Sequence, residues 1–232
     1  KKIITALRKL GFKYVFDITF GADLTVMEES LELVERIKNN KNLPMFTSCC
    51  PSWVKYAEIF YPELIPNLST CKSPIAMQST TIKTYFAEKE GINLEKLVNV
   101  VIAPCTAKKY EIKRSELNVT KRDTDYVLTT RELAKMIKEA NIDLLKLEDG
   151  KFDSPLGLGS SAGVIFGSSG GVSEAALRTA YHYITGEDLE DEKLVFSNAR
   201  GMNGIKEVEL DVGDIKIKAA IANGMKNAKT LI

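Results

Sequence analysis

Thiols and carboxyls carry most of the chemistry this sequence could perform, and its four cysteines are unevenly placed. Cys49 and Cys50 are adjacent, Cys71 stands alone, and Cys105 follows Pro104 directly after an apolar run. Four cysteines in a chain of 232 residues are too few and too irregular for a disulfide framework. Thiolates are soft donors suited to iron-sulfur clusters and zinc, and cluster-binding cysteines sit where backbone amides can reach the sulfurs. Cys50 and Cys105 suit that role, although they lie far apart along the chain and neither has the close second cysteine of a zinc knuckle. Spacing alone therefore leaves buried structural thiols as an equal alternative. Two thiols would not complete a four-iron cluster, so a cluster here would need further ligands from outside these residues. Thiol-disulfide exchange is the weaker reading, since there is no Cys-x-x-Cys.

Glu29 and Glu32 are three residues apart on a predicted helix and so share a face. A carboxyl sheltered from water can have its pKa raised enough to relay protons, whereas the ordinary reading of Glu28-Glu29-Ser30-Leu31-Glu32 is a solvated helix face. His182, between Tyr181 and Tyr183, reads as a packed or surface residue, Trp53 as core, and Cys71 as a buried unligated thiol.

The elements that must position these groups alternate β-rich runs with amphipathic helices, the pattern of an α/β protein. Strands are expected at 13–18, 44–47, 97–103 and 126–128, and helices at 25–37, 52–60, from 73 to about 86, and 132–140. Pro51 suits a first helical turn, and Thr129 with Glu132 forms a capping box. Cys49, Cys50 and Cys105 thus fall at the carboxyl ends of strands, where ligands gather in open α/β sheets. The glycine-rich stretch 157–171 lacks the dinucleotide pattern and the Gly-Lys-Ser/Thr ending of a phosphate loop. A helix at 172–184 and two antiparallel strands, 206–212 and 215–222, close the chain.

Thirty-two basic residues against thirty-one acidic ones give no electrostatic case for nucleic acid or an anionic membrane. No run of eighteen apolar residues occurs, and Lys1-Lys2-Ile3-Ile4 reads as an amphipathic helix rather than a signal peptide. The expected setting is cytoplasmic, with no membrane partner.

Phe46-Thr47-Ser48-Cys49-Cys50-Pro51-Ser52-Trp53 and Ala103-Pro104-Cys105-Thr106-Ala107-Lys108-Lys109-Tyr110-Glu111 closely resemble the first two signature motifs of the iron-only (FeFe) hydrogenases. The likeness extends through Phe20 to Thr25, Thr130 to Ala134, Gly163 to Gly167, Gly170 to Arg178 and Arg200 to Glu207, which is essentially the whole chain. It implies a two-lobed α/β fold with parallel or mixed sheets flanked by helices. One lobe would span 1–96 and the other 97–232, with the metal site in the cleft between them.

The resemblance also implies the H-cluster, a 4Fe-4S cubane linked to a di-iron centre with carbonyl, cyanide and bridging dithiolate ligands, and reversible interconversion of dihydrogen with protons and electrons. Cys50 and Cys105 match two cubane ligands, and two further cysteine ligands are expected beyond Ile232. Cys49 matches the unmetallated cysteine that hands over protons, and Ser69, Glu29 and Glu32 match the residues that carry them to the surface. Lys108 matches the lysine that donates to a cyanide ligand, while Ser73, Pro104, Ala103, Phe166 and Gly167 match residues near the di-iron centre. The implied partners are a ferredoxin or accessory iron-sulfur domains, and maturation proteins for the di-iron centre.

Ala103 stands where the well-studied enzymes have methionine, Ile75 where they have a glutamine-type residue, and Ser52 where they have glycine. Such pocket changes can alter redox potential and turnover. They resemble the family's sensory branch, so the alternative to an enzyme is a hydrogen sensor on the same domain. A hydrogenase-like iron-sulfur scaffold or assembly protein is a third reading, and it would predict loss of both Cys49 and Lys108.

Overall fold

The computed structural model describes every residue except Arg200 and Asp214. Arg200, which opens one of the segments quoted above, therefore lies outside the described residues. Two compact units are present: Lys1–Thr25, Cys49–Ser52 and Lys72–Ser160 form the first, and Val26–Ser48, Trp53–Cys71 and Ser161–Ile232 the second. A division after residue 96 follows order along the chain, whereas these units are built from interleaved segments.

In the first unit, α1 (Lys2–Lys9) is amphipathic and buries Ile4, Ala6 and Leu7 against Leu133 and Ile137 of α7 (Thr130–Glu139). The expected strand at 13–18 does not form. The Val15 amide donates to the Asp153 carboxylate at 2.6 Å and the Val15 carbonyl accepts from the Asp153 amide at 2.9 Å, which ties down one residue and offers no ladder to its neighbours. Tyr14 and Phe16 instead set their rings edge-on against Phe86.

Helix α2 (Ile18–Lys38) starts earlier than the apolar periodicity suggested, with the Asp17 carboxylate accepting from the Thr19 amide at its first turn. α3 (Pro51–Phe60) begins at Pro51 as expected, and its first residues belong to the first unit. α4 (Pro74–Thr81) runs through a π-turn (Ile82–Phe86) into the short α5 (Ala87–Lys89). Gly21 lets α2 lie close to α4, because a Cβ there would collide with the Pro74 carbonyl and the Gln78 side chain.

β1 (Val100–Ile102) and β2 (Tyr126–Leu128) pair in parallel, with Val101 opposite Val127. The pair is continued by the Ala103 amide donating to the Leu128 carbonyl at 2.9 Å. The chain then passes through Pro104-Cys105 into the one-turn α6 (Lys108–Glu111). The capping box at the start of α7 is complete: Thr129 accepts from the Glu132 amide while the Glu132 carboxylate accepts from the Thr129 amide.

In the second unit, the expected strand at 44–47 reduces to one parallel bridge, Phe46 to Leu68. Part of the glycine-rich stretch is helical, as α8 (Ser161–Phe166). α9 (Gly171–Thr185) follows Gly170, whose φ of 84° is left-handed backbone that glycine adopts without strain. β3 (Ser197–Asn198), β4 (Ile205–Val212) and β5 (Ile215–Ala222) form an antiparallel sheet in the order β3-β4-β5, and α10 (Met225–Leu231) ends the chain. Val208, Leu210 and Val212 of β4 alternate inward against Leu177 of α9, and Leu33 and Ile37 of α2 join that core. Glu29, Glu32 and Arg36, at i, i+3 and i+7, share the stripe of α2 that adjoins this apolar face.

Candidate functional site

Glu29 and Glu32 are the groups that the second unit treats most unusually. Glu29 is 1% exposed. Burial pushes its pKa up to about 7, against hydrogen bonds from Ser69 and the Ser48 backbone; the nearby Glu32 charge adds to the rise and Arg36 opposes it. Its Oε2 is buried with no hydrogen-bond partner. On Glu32, burial also acts upward, but hydrogen bonds from Ser69, Arg36 and the Thr70 amide, with the Arg36 charge, outweigh it and hold the carboxyl below its usual value. The Ser69 hydroxyl donates to Glu32 Oε2 at 2.8 Å and the Thr70 amide donates at 3.0 Å. One helix face thus carries a carboxyl that burial pushes up to about 7 and a carboxylate held below its usual value, with the Ser69 hydroxyl donating to the second. Pairs whose environments push their pKa values apart are suited to passing protons.

Two residues of this network were not legible as functional. Arg36 donates to Glu32 Oε1 at 2.6 Å and is held by the carbonyls of Asn42, Asn67 and Leu68 at 3.0, 3.1 and 2.7 Å. Its i+4 spacing from Glu32 was the available signal. Cys71, read as a buried unligated thiol, is half-buried and donates from Sγ to Glu32 Oε2 at 3.6 Å. Its pKa is pushed up to about 12 by burial, opposed by a hydrogen bond from Ser69 and reinforced by Glu29 and Glu32, so it stays a neutral donor. The Cys71 amide donates to Ser69 Oγ at 3.1 Å, and the Cys71 carbonyl accepts from Ser48 Oγ at 2.7 Å. Ser48 immediately precedes Cys49 in the chain.

In the first unit, the two cysteine turns come together through Lys108, whose Nζ donates to the Cys49 carbonyl at 2.8 Å. None of the four cysteines is in a disulfide, and Cys50 and Cys105 are exposed. Ser73 precedes α4, is 3% exposed, and leaves its hydroxyl buried without a hydrogen-bond partner. Ala103 is buried at the end of β1, while Pro104 is exposed. Phe166 closes α8 in the second unit and Gly167 follows it, its amide donating to the Val164 carbonyl at 3.2 Å. Among the described residues no group of three or more His, Cys, Asp or Glu is placed to hold a metal ion.

The fold is α/β, and it leaves Cys50 and Cys105 exposed at two turns as free thiols. Residues 1–232 match the family described as iron only hydrogenase large subunit, C-terminal domain, and the chain belongs to that family. It is 51% identical over 227 residues to iron hydrogenase 1 of Clostridium pasteurianum, covering 97% of this chain and 39% of that protein. It is 50% identical over 231 residues to the periplasmic Fe hydrogenase large subunit of Nitratidesulfovibrio vulgaris, covering 98% of this chain and 54% of that one. A variant apo FeFe-hydrogenase of Chlamydomonas reinhardtii superposes with a TM-score of 0.87 at 43% identity, over 99% of this chain and 65% of that one. The chain therefore spans about half or less of the length of these curated relatives. Among the described residues no helix is long and apolar enough to cross a membrane.

Proposed function

We propose that this chain forms the H-cluster-binding part of an FeFe-hydrogenase that interconverts dihydrogen with protons and electrons. The observation that carries the proposal is the acidic cluster of α2: Glu29 is 1% exposed with Oε2 lacking a hydrogen-bond partner, which pushes its pKa up, and Glu32 accepts from Arg36, Ser69 and Thr70. A solvated helix face would show neither. The donor set also fits the cluster: two accessible unbridged thiols, an ammonium between their turns, and a buried serine hydroxyl with no partner. When bound, the cluster supplies the redox centre.

This chain's own residues hold that group and move protons. Cys50 and Cys105 would ligate iron, and two further cysteines would be needed to complete a cubane. Lys108 presents a compact ammonium to an anionic ligand. The resemblance assigns Ser73, Pro104, Ala103, Phe166 and Gly167 to the surroundings of the di-iron centre. By the same resemblance Cys49 would hold the proton nearest that group, and Glu29, Ser69 and Glu32 would carry protons to solvent. Glu29 would accept and release near neutral pH, and Glu32 would be the outer member, kept ionised by the Ser69 hydroxyl, Arg36 and the Thr70 amide. Electrons come from a ferredoxin or accessory iron-sulfur domains, and maturation proteins install the di-iron centre. A cytoplasmic setting accords with the absence of disulfides among the four cysteines.

The test compares Cys49→Ala with Cys50→Ala in the full-length holoprotein, measuring hydrogen evolution, iron content and the carbonyl and cyanide infrared bands. Cys49→Ala is expected to keep iron and bands while losing turnover, and Cys50→Ala to lose iron. Full turnover in Cys49→Ala with normal iron would remove the proposed proton route. A sensory role on the same chemistry is favoured by Ala103 and Ile75, buried residues that replace longer or polar side chains. Slow turnover with intact bands in the unmodified protein would support it.

A further inference from the structure

Lys108 and Glu111 form an ion pair inside the one turn of α6, with side chains 13% and 6% exposed. Glu111 Oε1 accepts from Lys108 Nζ at 3.2 Å. Oε2 lies 3.0 Å from the same nitrogen but off the hydrogen-bond axis, and is buried with no hydrogen-bond partner. A carboxylate this sheltered is costly unless a cation answers it, and the cation paired with Glu111 is Lys108. An ammonium has three N–H donors. In Lys108 one goes to the Cys49 carbonyl at 2.8 Å and one to Glu111, and the described residues give no acceptor for the third.

We propose that Glu111 is a positioning residue for Lys108: together with the Cys49 carbonyl it fixes the ammonium, whose remaining N–H would then be available to an anionic ligand of a bound cluster. The inference rests on the reading of Lys108 as the donor to that ligand. Lysine is a flexible point donor on a four-carbon stem, and with one protein acceptor it would sample several rotamers. Two acceptors on one nitrogen, the Cys49 carbonyl and the Glu111 carboxylate, limit that freedom. Glu111 also lines a small cavity with Ile75, Asn118 and Asp123, so its carboxyl group has room to be replaced by an amide.

The experiment is a double-mutant cycle in the matured, full-length holoprotein, using Lys108→Gln, Glu111→Gln and the double variant, with Glu111→Asp as the conservative control. It reads the cyanide infrared bands, iron content and turnover. Lys108→Gln and Glu111→Gln are each expected to move the cyanide bands in the same direction at normal iron content. Turnover in Glu111→Gln should fall roughly 10- to 100-fold, the scale for losing the partner that orients a ligand-binding group, and Glu111→Asp should recover part of both effects. In the Lys108→Gln background, Glu111→Gln should move the bands no further. Unmoved bands in Glu111→Gln while Lys108→Gln shifts them would overturn the inference and leave the reading of Lys108 standing. Unmoved bands in Lys108→Gln would overturn both. If Glu111→Gln alone does not fold, the charge-balanced double variant against Lys108→Gln decides, and a further shift there would count against the inference.

Discussion

Glu29 with Glu32 in the second unit, and Lys108 with Glu111 in the first, are both sheltered charged pairs three residues apart on a helix, yet they are built for opposite ends. On the twenty-one-residue α2, two like charges are driven apart: burial keeps Glu29 near its protonation midpoint, and Arg36 keeps Glu32 ionised. On the single turn of α6, two opposite charges hold each other. A relay needs neighbouring groups that differ in proton affinity, so asymmetry is its design. A ligand-facing donor needs one charge state and one direction, so compensation is its design. The same i, i+3 spacing serves both, and the surroundings of each pair decide which.

Removing a proposed cluster ligand should have the largest effect: Cys50→Ala is expected to abolish cluster iron, measured by metal analysis, with activity lost as a consequence. Next, Glu29→Gln keeps the shape of the side chain and removes the ionisable group, so turnover should fall by about 10²- to 10⁴-fold, the range general acid-base groups contribute, at normal iron content. In stability the same change acts with the opposite sign. A carboxyl whose folded pKa is raised from 4.5 to about 7 contributes stability that is fully present below its unfolded pKa and is lost as pH rises through the folded one. Glu29→Gln should therefore gain on the parent protein by about 3 kcal/mol between pH 4.5 and pH 7.5, read from denaturant melts across that range.

Arg36→Met should be smaller. Glu32 loses its cation but retains Ser69 and Thr70, so a destabilisation of about 2 kcal/mol is expected, below the scale for a fully buried pair. The pKa of Glu32 should rise, followed by NMR. The smallest expected effect is that of Cys71→Ala, which deletes one weak donor to Glu32. It should cost under about 1 kcal/mol and nudge the Glu32 pKa upward. A large turnover defect in Cys71→Ala would mean that Cys71 belongs to the relay itself, and would blur the distinction between the two pairs.

Much of this was legible because periodicity and caps are local signals. The Thr129–Glu132 box, Pro51 at the start of α3 and the β4–β5 hairpin were readable from neighbours in sequence, and all three formed. The run at 13–18 was misread because its β-rich composition answers to Asp153 and Phe86, partners far along the chain. The early start of α2 was hidden for a related reason, since the glycine inside it is needed for the approach to α4. In the site, spacing put Glu29 and Glu32 on one face but was silent on which would be neutral. That asymmetry comes from Ser69, Thr70 and Arg36, and from burial that only the folded chain creates. Cys71 was passed over because its partner is Glu32, thirty-nine positions away.

The most direct measurement is an infrared pH titration of the carboxylic C=O band of Glu29 in the holoprotein, assigned by its disappearance in Glu29→Gln. The expected result is a protonated band present at pH 6 and lost with a midpoint near 7, which moves toward the ordinary carboxylate range when burial is relieved. A Glu29 band already lost by pH 5.5, in an assembled and active protein, would contradict the assignment of this face of α2 as the proton relay.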